Sequence, residues 1–372
     1  MGLSVNLVDY IFTLLYNRRR KERSMTIAEI KNLIKQPEYD FLRTNEHLGN
    51  NICLLTLGGS HAYGTNVEGS DVDIRGIASL RPENILGTTP FEQFVESEAD
   101  TTIYGLTKIF QLLLNVNPNT IEILGCKPEH YIYLNAIGKE ILDNKHLFLS
   151  KKCIGAFAGY ASAQLARLEN YVCREKLAQP QQEEHIKASI ENSMRHWDEK
   201  YAVFENGGIN LYIDKAVNPD METEMFVDVN LKHYPLRDYR SMWSDMNTIV
   251  KTYKSLGKRN SNAMEHSKLN KHIMHLFRLY LMCIDILEKE EINTYREKDH
   301  DYLMSIRNGY YMNEDGTIKP ELYKELDELK TKMRELEKTT KLPEKPYYKD
   351  AEKLLIKLNK MSLDMIGGKN GI

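Results

Sequence analysis

Apolar residues gather in short runs through the first part of the chain and spread into helical stripes after it. Residues 52–57, ICLLTL, form an apolar run closed by Gly58 and Gly59, the pattern of a buried strand that feeds a turn. Residues 71–78 predict a second strand, and Val95, Thr101, Ile103 and Tyr104 place a third between residues 94 and 104. Residues 108–114 present one apolar helical face. Asn117 and Pro118 then read as an N-cap and first-turn proline for a helix that holds Ile121, Ile123 and Leu124.

Beyond about Lys151 the strand-like alternation nearly disappears, and residues 154–171, 183–204, 236–253, 263–288 and 322–336 read as helices. The expected class is α+β: a small mixed-sheet domain over residues 25–150, then an all-helical domain over residues 151–316. A helical extension over residues 1–24 precedes them, and amphipathic helices over residues 317–372 follow. Leu322, Leu326, Leu329, Met333 and Leu336 have coiled-coil spacing, but two heptads are too few to stand alone, so this helix is expected to pack on the body of the protein. Pro343 and Pro346 mark a linker before a last amphipathic helix over residues 351–361.

The 372 residues are 42% hydrophobic and 28% charged, which is enough apolar material for a sizeable core and excludes disorder and collagen-like structure. Residues 5–16 are apolar but broken by Asn6 and Asp9, and they are followed by Arg18, Arg19, Arg20 and Lys21, the reverse of a secretory signal's charge order. Asn6 also breaks the myristoylation pattern. A cytoplasmic address with no membrane partner is the expectation. Cys53, Cys126, Cys153, Cys173 and Cys283 are scattered, with no C-x-x-C pair, and read as reduced thiols. The net charge of -3 means that a polynucleotide partner would need a local basic patch.

Candidate chemistry concentrates in GGSHAYGTNVEGSDVDIRG, residues 58–76. On a strand, Asp71 and Asp73 would share one face about 7 Å apart, an arrangement suited to a divalent cation. Gly58, Gly59 and Ser60 offer backbone amides without obstructing side chains, together with a hydroxyl, for phosphate oxygens. Arg75, two residues after Asp73, turns to the same side, either toward a phosphate or toward an aspartate. His61 and Tyr63 fall in the turn, where packing on the sheet competes with nucleotide contact. Asn117, Asn119 and Glu122 read as capping and local hydrogen-bonding residues, with substrate contact as the alternative.

Gly-Ser, ten residues, then Asp-apolar-Asp-apolar resembles the signature of the DNA polymerase beta nucleotidyltransferase superfamily. Residues 37–51 (PEYDFLRTNEHLGNN), SDVDIRG around Asp71, the pattern from Lys108 to Glu122 and KHIMHLFRL from Lys271 are similar to the predicted nucleotidyltransferases of the YcgL or RlaP family, whose name refers to RNA repair. The resemblance implies that Gly59 and Ser60 hold triphosphate and that Asp71 and Asp73 hold Mg²⁺, two ions in all, with Mn²⁺ as a substitute. It also implies a third carboxylate: Glu96, Glu98 and Asp100 fall on one side if the strand is regular, and Asp100 is favoured because it sits immediately before the best strand residues, where similar sequences carry an acid.

Lys271, His275 and Arg278 fall on one helical stripe, and the resemblance gives that stripe, with Arg75, a nucleotide-binding role. His272 points off the stripe and is expected to be buried. The implied reaction moves a nucleoside monophosphate from a nucleoside triphosphate, ATP first, to a hydroxyl with release of pyrophosphate. RNA, such as a tRNA end, is the first acceptor. A protein-modifying, antitoxin-like enzyme and a non-catalytic nucleotide-binding module are the alternatives.

Overall fold

A computed structural model describes residues 25–176, 178–193, 200–201, 208–219, 221–258 and 266–367, so the expected extension over residues 1–24 lies outside the described residues. The chain divides into two compact units, one of Met1–Ser162, Met274–Ile306 and Tyr323–Ile372, the other of Ala163–Ile273 and Arg307–Leu322.

The first unit opens with α1 (Ile27–Leu33), β1 (Ile52–Leu57), α2 (Gly59–Tyr63), β2 (Ile74–Ala78), β3 (Gln93–Glu96) and β4 (Thr101–Gly105). It continues through α3 (Leu106–Leu114), α4 (Pro118–Ile121), β5 (Tyr131–Leu134) and α5 (Ala136–Asp143). The strands form one sheet in the order β3-β4-β2-β1-β5, with β2 and β4 parallel and the other pairs antiparallel. Every residue of β1 is buried, because a strand covered on both faces needs apolar residues at successive positions, and ICLLTL supplies them. Ile30, Leu33, Tyr39 and Leu42 pack with Leu55, Leu57, Ile74 and Ile103 in this core.

Three local differences from the sequence reading bear on the site. Strand β2 begins at Ile74, so Asp71 and Asp73 lie in the segment that leads into it. Asp73 still joins the backbone network, since its carbonyl accepts the Gly58 N–H at 2.8 Å. The region expected to hold one strand between residues 94 and 104 contains two, β3 and β4, joined by a turn over residues 97–100. Strand β5 has no sequence counterpart above, because a four-residue edge strand with partly exposed side chains leaves little contrast to read. Asn117 and Pro118 do begin α4: the Asn117 side chain accepts the Asn119 N–H.

The rest of the chain is mainly helical: α6 (Lys152–Lys176), α7 (Gln179–Ser193), α8 (Tyr239–Lys258), α9 (His266–Lys289), α10 (His300–Arg307), α11 (Glu321–Thr339) and α12 (Tyr348–Gly367). Residues 194–199, 202–204 and 263–265 of the expected helices lie outside the described residues. The α+β class holds, and the helical region adds one antiparallel hairpin, β6 (Gly208–Lys215) and β7 (Thr223–Asn230). Ile209 of this hairpin packs with Ile190, Tyr201, Met242 and Ile249 to form the core of the second unit. Its period-two signal, Ile209, Leu211 and Ile213 between polar neighbours, is brief and sits between helical stretches. Leu326 and Met333 of α11 are buried, as expected for a helix packed on the protein. Cys53, Cys126, Cys153 and Cys283 are free thiols. Among the described residues no helix is long and apolar enough to cross a membrane.

Candidate active site

Strand β1 delivers the chain into Gly58, which is extended, and Gly59, at φ +53, where the short helix α2 starts. A Cβ on Gly59 would overlap Oδ2 of Asp73, and one on Gly58 would lie 2.9 Å from Cγ of Arg75. Glycine at both positions is therefore what allows the Asp73 and Arg75 side chains to lie against the turn. Ser60 is buried in α2, which ends at Gly64 (φ +74). The Tyr295 ring occupies the space that a Cβ on Gly64 would need.

Asp73 Oδ1 pairs with Arg75 Nη2 at 3.1 Å, so Arg75 turns toward an aspartate here. Arg75 Nη1 also donates to the Asp100 carbonyl at 2.6 Å, and the Ile74 N–H reaches the same oxygen at 3.1 Å. The parallel register Ile74↔Thr101 sets Asp73 and Asp100 at neighbouring strand starts. The premise that Glu96, Glu98 and Asp100 line one regular strand does not hold, because Glu96 closes β3 whereas Glu98 and Asp100 lie in the following turn. Asp100 has φ +41, a left-handed conformation uncommon for a residue with a Cβ, and its side chain is exposed. Asp71 is exposed as well.

Behind the turn lies a buried charge cluster in which Glu122 is the hub, a role the sequence reading did not give it. The Tyr63 hydroxyl stands 3.0 Å from both Glu122 carboxylate oxygens, and Arg278 Nη1 donates to Oε2 at 3.2 Å. The Arg278 guanidinium also stacks 3.6 Å above the Tyr63 ring. Glu122 is 5% exposed and Arg278 4%. Burial pushes the Glu122 carboxyl above its ordinary range, while the Arg278 charge and the Tyr63 hydroxyl pull it back. Burial likewise raises the Tyr63 phenol. His275 meets Tyr63 edge to face at 5.7 Å between ring centres. The signal available in the sequence was a glutamate inside the apolar run Ile121, Ile123, Leu124, a charge that needs a partner if the run is buried.

Three of the expected site residues, Gly59, Asp73 and Arg75, therefore come together, with the Asp100 backbone joined to Arg75. Arg278 is brought to Glu122 and Tyr63. Lys271, on the same helix but in the second unit, is exposed, and His272 is partly buried.

His61 is buried in α2, and among the described residues its Nε2 has no hydrogen-bond partner. Burial lowers its pKa below the ordinary 6.5, against the opposing effects of the Ser70 backbone and the Asp71 charge. Between the folded and unfolded values the unfolded chain binds more protons, so this contribution to stability is intact above pH 6.5 and is lost as pH falls toward the folded value. His61→Asn should therefore flatten the decline in denaturant midpoint between about pH 7.5 and 5.5. An unchanged slope would place the acid sensitivity elsewhere.

Among the described residues no group of three or more His, Cys, Asp or Glu side chains is disposed to hold a metal ion. Mg²⁺, however, is commonly bound through one or two carboxylates together with substrate phosphates. Asp71, and Asp73 seated against a glycine whose Cβ would displace it, supply a donor set of that kind.

A mixed sheet whose first strand runs into a Gly-Ser turn, with paired aspartates leading into the next strand, is the arrangement expected from the resemblance to DNA polymerase beta-like nucleotidyltransferases. Residues 23–187 match the model of RlaP, the RNA repair pathway DNA polymerase beta family. The KHIMHLFRL segment lies beyond the matched residues. No curated protein and no solved structure matches the chain.

Proposed function

We propose that the protein transfers a nucleoside monophosphate from a nucleoside triphosphate, ATP first, to a hydroxyl of RNA and releases pyrophosphate. The observation that supports this most is the Gly58–Gly59 turn, which leaves room for Asp73 and Arg75 at the end of β1. In this reading the amides of the turn and the Ser60 hydroxyl receive the β and γ phosphates, and Arg75 balances their charge from β2. Asp71 and Asp73 would hold Mg²⁺, which when bound supplies charge neutralisation on the triphosphate. Asp100 is the proposed third acid, positioned by the contacts of its own carbonyl with Ile74 and Arg75. Arg278 enters through Glu122 and Tyr63, which it holds behind the turn. For Lys271 and His275 as nucleotide ligands, the support is their place on the sequence stripe. Catalysis of this kind is positioning and charge stabilisation, so no side-chain nucleophile is needed.

Incubating the full chain with each labelled nucleoside triphosphate, Mg²⁺ and RNA bearing a free 3′ hydroxyl tests the reading. Label on RNA with stoichiometric pyrophosphate is expected. Label on protein would instead establish the protein-modifying alternative, and binding without turnover the non-catalytic one. Ser60→Ala should weaken triphosphate binding by about 1 kcal/mol, more if the bond is charge-assisted, and monophosphate binding less. Equal losses in calorimetry would remove Ser60 from the phosphate cradle.

A further inference from the structure

Helix α8 is amphipathic in an unusual way. Met242 and Ile249 are buried in the core of the second unit, with Met246 and Tyr253 packed against it. The opposite face is not simply polar: Tyr239 is 53% exposed and Trp243 61%, with Val250 also exposed along the helix and Leu236 just before it. At 3.6 residues per turn, Tyr239, Trp243 and Val250 fall within roughly 40° of one another, with the two aromatic rings about one turn apart. A tryptophan this exposed presents a large apolar surface to water, and surfaces of that kind usually mark binding.

The charges beside the stripe indicate the partner. Arg240 and Lys251 are exposed and flank it on one side, with Asn247 between them. Asp245, the one acid in α8, lies off this face, where it accepts from the Tyr201 hydroxyl at 2.5 Å and pairs with Lys200. Exposed aromatic rings one helical turn apart and edged by cations, with Asp238 just before Tyr239 paired to Arg237, suit a strand that carries both stackable bases and phosphates. A protein partner would use the apolar stripe but has no comparable need for a cationic flank. The chain's overall charge of -3 makes this local basic edge the more notable.

We infer that the Tyr239–Trp243 face of α8, with Arg240 and Lys251, binds single-stranded RNA through base stacking and phosphate contacts. That the strand is RNA rests on the function proposed above; that it is single-stranded rests on α8 itself, since paired bases do not expose their faces to an aromatic ring.

The test uses the full chain and a labelled 12-nucleotide RNA followed by fluorescence anisotropy. Trp243→Ala should weaken binding by about tenfold and Tyr239→Ala with Trp243→Ala by about a hundredfold, whereas Trp243→Phe keeps most of the affinity. Arg240→Ala with Lys251→Ala should reduce the salt slope by about 1.4, the value for two lost phosphate contacts on a single strand. All four positions are exposed, so melting temperatures should stay at the wild-type value. Unchanged affinity in the aromatic variants, equally tight binding of a duplex, or self-association that Trp243→Ala abolishes would each overturn the inference. Transfer to RNA by the wild type together with unchanged RNA affinity in these variants would refute this surface and leave the proposed function standing; label found on protein alone would refute the function.

Discussion

Asp73→Asn should reduce nucleotidyl transfer by at least about 10³-fold while barely moving the melting temperature. The scale follows from the several kcal/mol that a bound divalent ion contributes to stabilising charge in the transition state, at 1.36 kcal/mol per tenfold in rate. The small stability change follows from the structure, since Arg75 would lose one partly exposed ion pair and keep its bonds to the Asp100 and Ile74 carbonyls. Asp71→Asn should show the same activity loss. Calorimetry with Mg²⁺ and a non-hydrolysable triphosphate separates the assignments: wild-type binding surviving both substitutions would sink the metal role of this pair.

Arg278→Met should destabilise the first unit by about 3–5 kcal/mol, because it leaves the Glu122 carboxylate buried without its cation. Charge at Glu122 is the cause, so the loss should depend on pH in a defined sense. An acid whose folded pKa lies above its unfolded value of 4.5 imposes no penalty below 4.5, and the penalty grows as pH rises toward the folded value. The deficit of the variant should therefore shrink on acidification. Adding Glu122→Gln to Arg278→Met should recover most of the loss, since replacing both members of a buried pair costs far less than removing one. Denaturant midpoints of the two single variants and the double variant give the coupling directly. Additive losses would mean that the pair is not a unit.

The parts of the site that sequence reading found are those encoded within a few residues. The Gly58–Gly59 turn and the paired aspartates are contiguous, and the spacing of Arg75 from Asp73 is enough to turn its side chain toward that acid. What escaped was long-range or weakly contrasted. Glu122 reads as a capping residue until Arg278, 156 positions later, is known to face it. Arg278 reads as part of a nucleotide-binding stripe with Lys271 and His275 because that stripe is visible in the helix, while the burial of its own segment depends on everything packed around α9. Strand β5 and the β6–β7 hairpin are short or isolated alternations whose only strong support is the partner strand.

The cluster behind the Gly-Ser turn also determines where the chain can be cut. Glu122 and Tyr63 lie inside the family-matched residues 23–187, but the groups that satisfy them come from far downstream. Arg278 neutralises the carboxylate, Thr294 donates its hydroxyl to the Glu122 carbonyl and its N–H to the Gly125 carbonyl, and the Arg296 N–H closes on the Tyr63 carbonyl at 3.0 Å. A fragment ending at residue 187 would keep the matched segment and lose the strap that completes its interior, leaving the Glu122 carboxylate without its cation and three carbonyls without these donors. Motif boundaries and folding boundaries are thus different things here, and the smallest piece that keeps these contacts extends at least through Arg296.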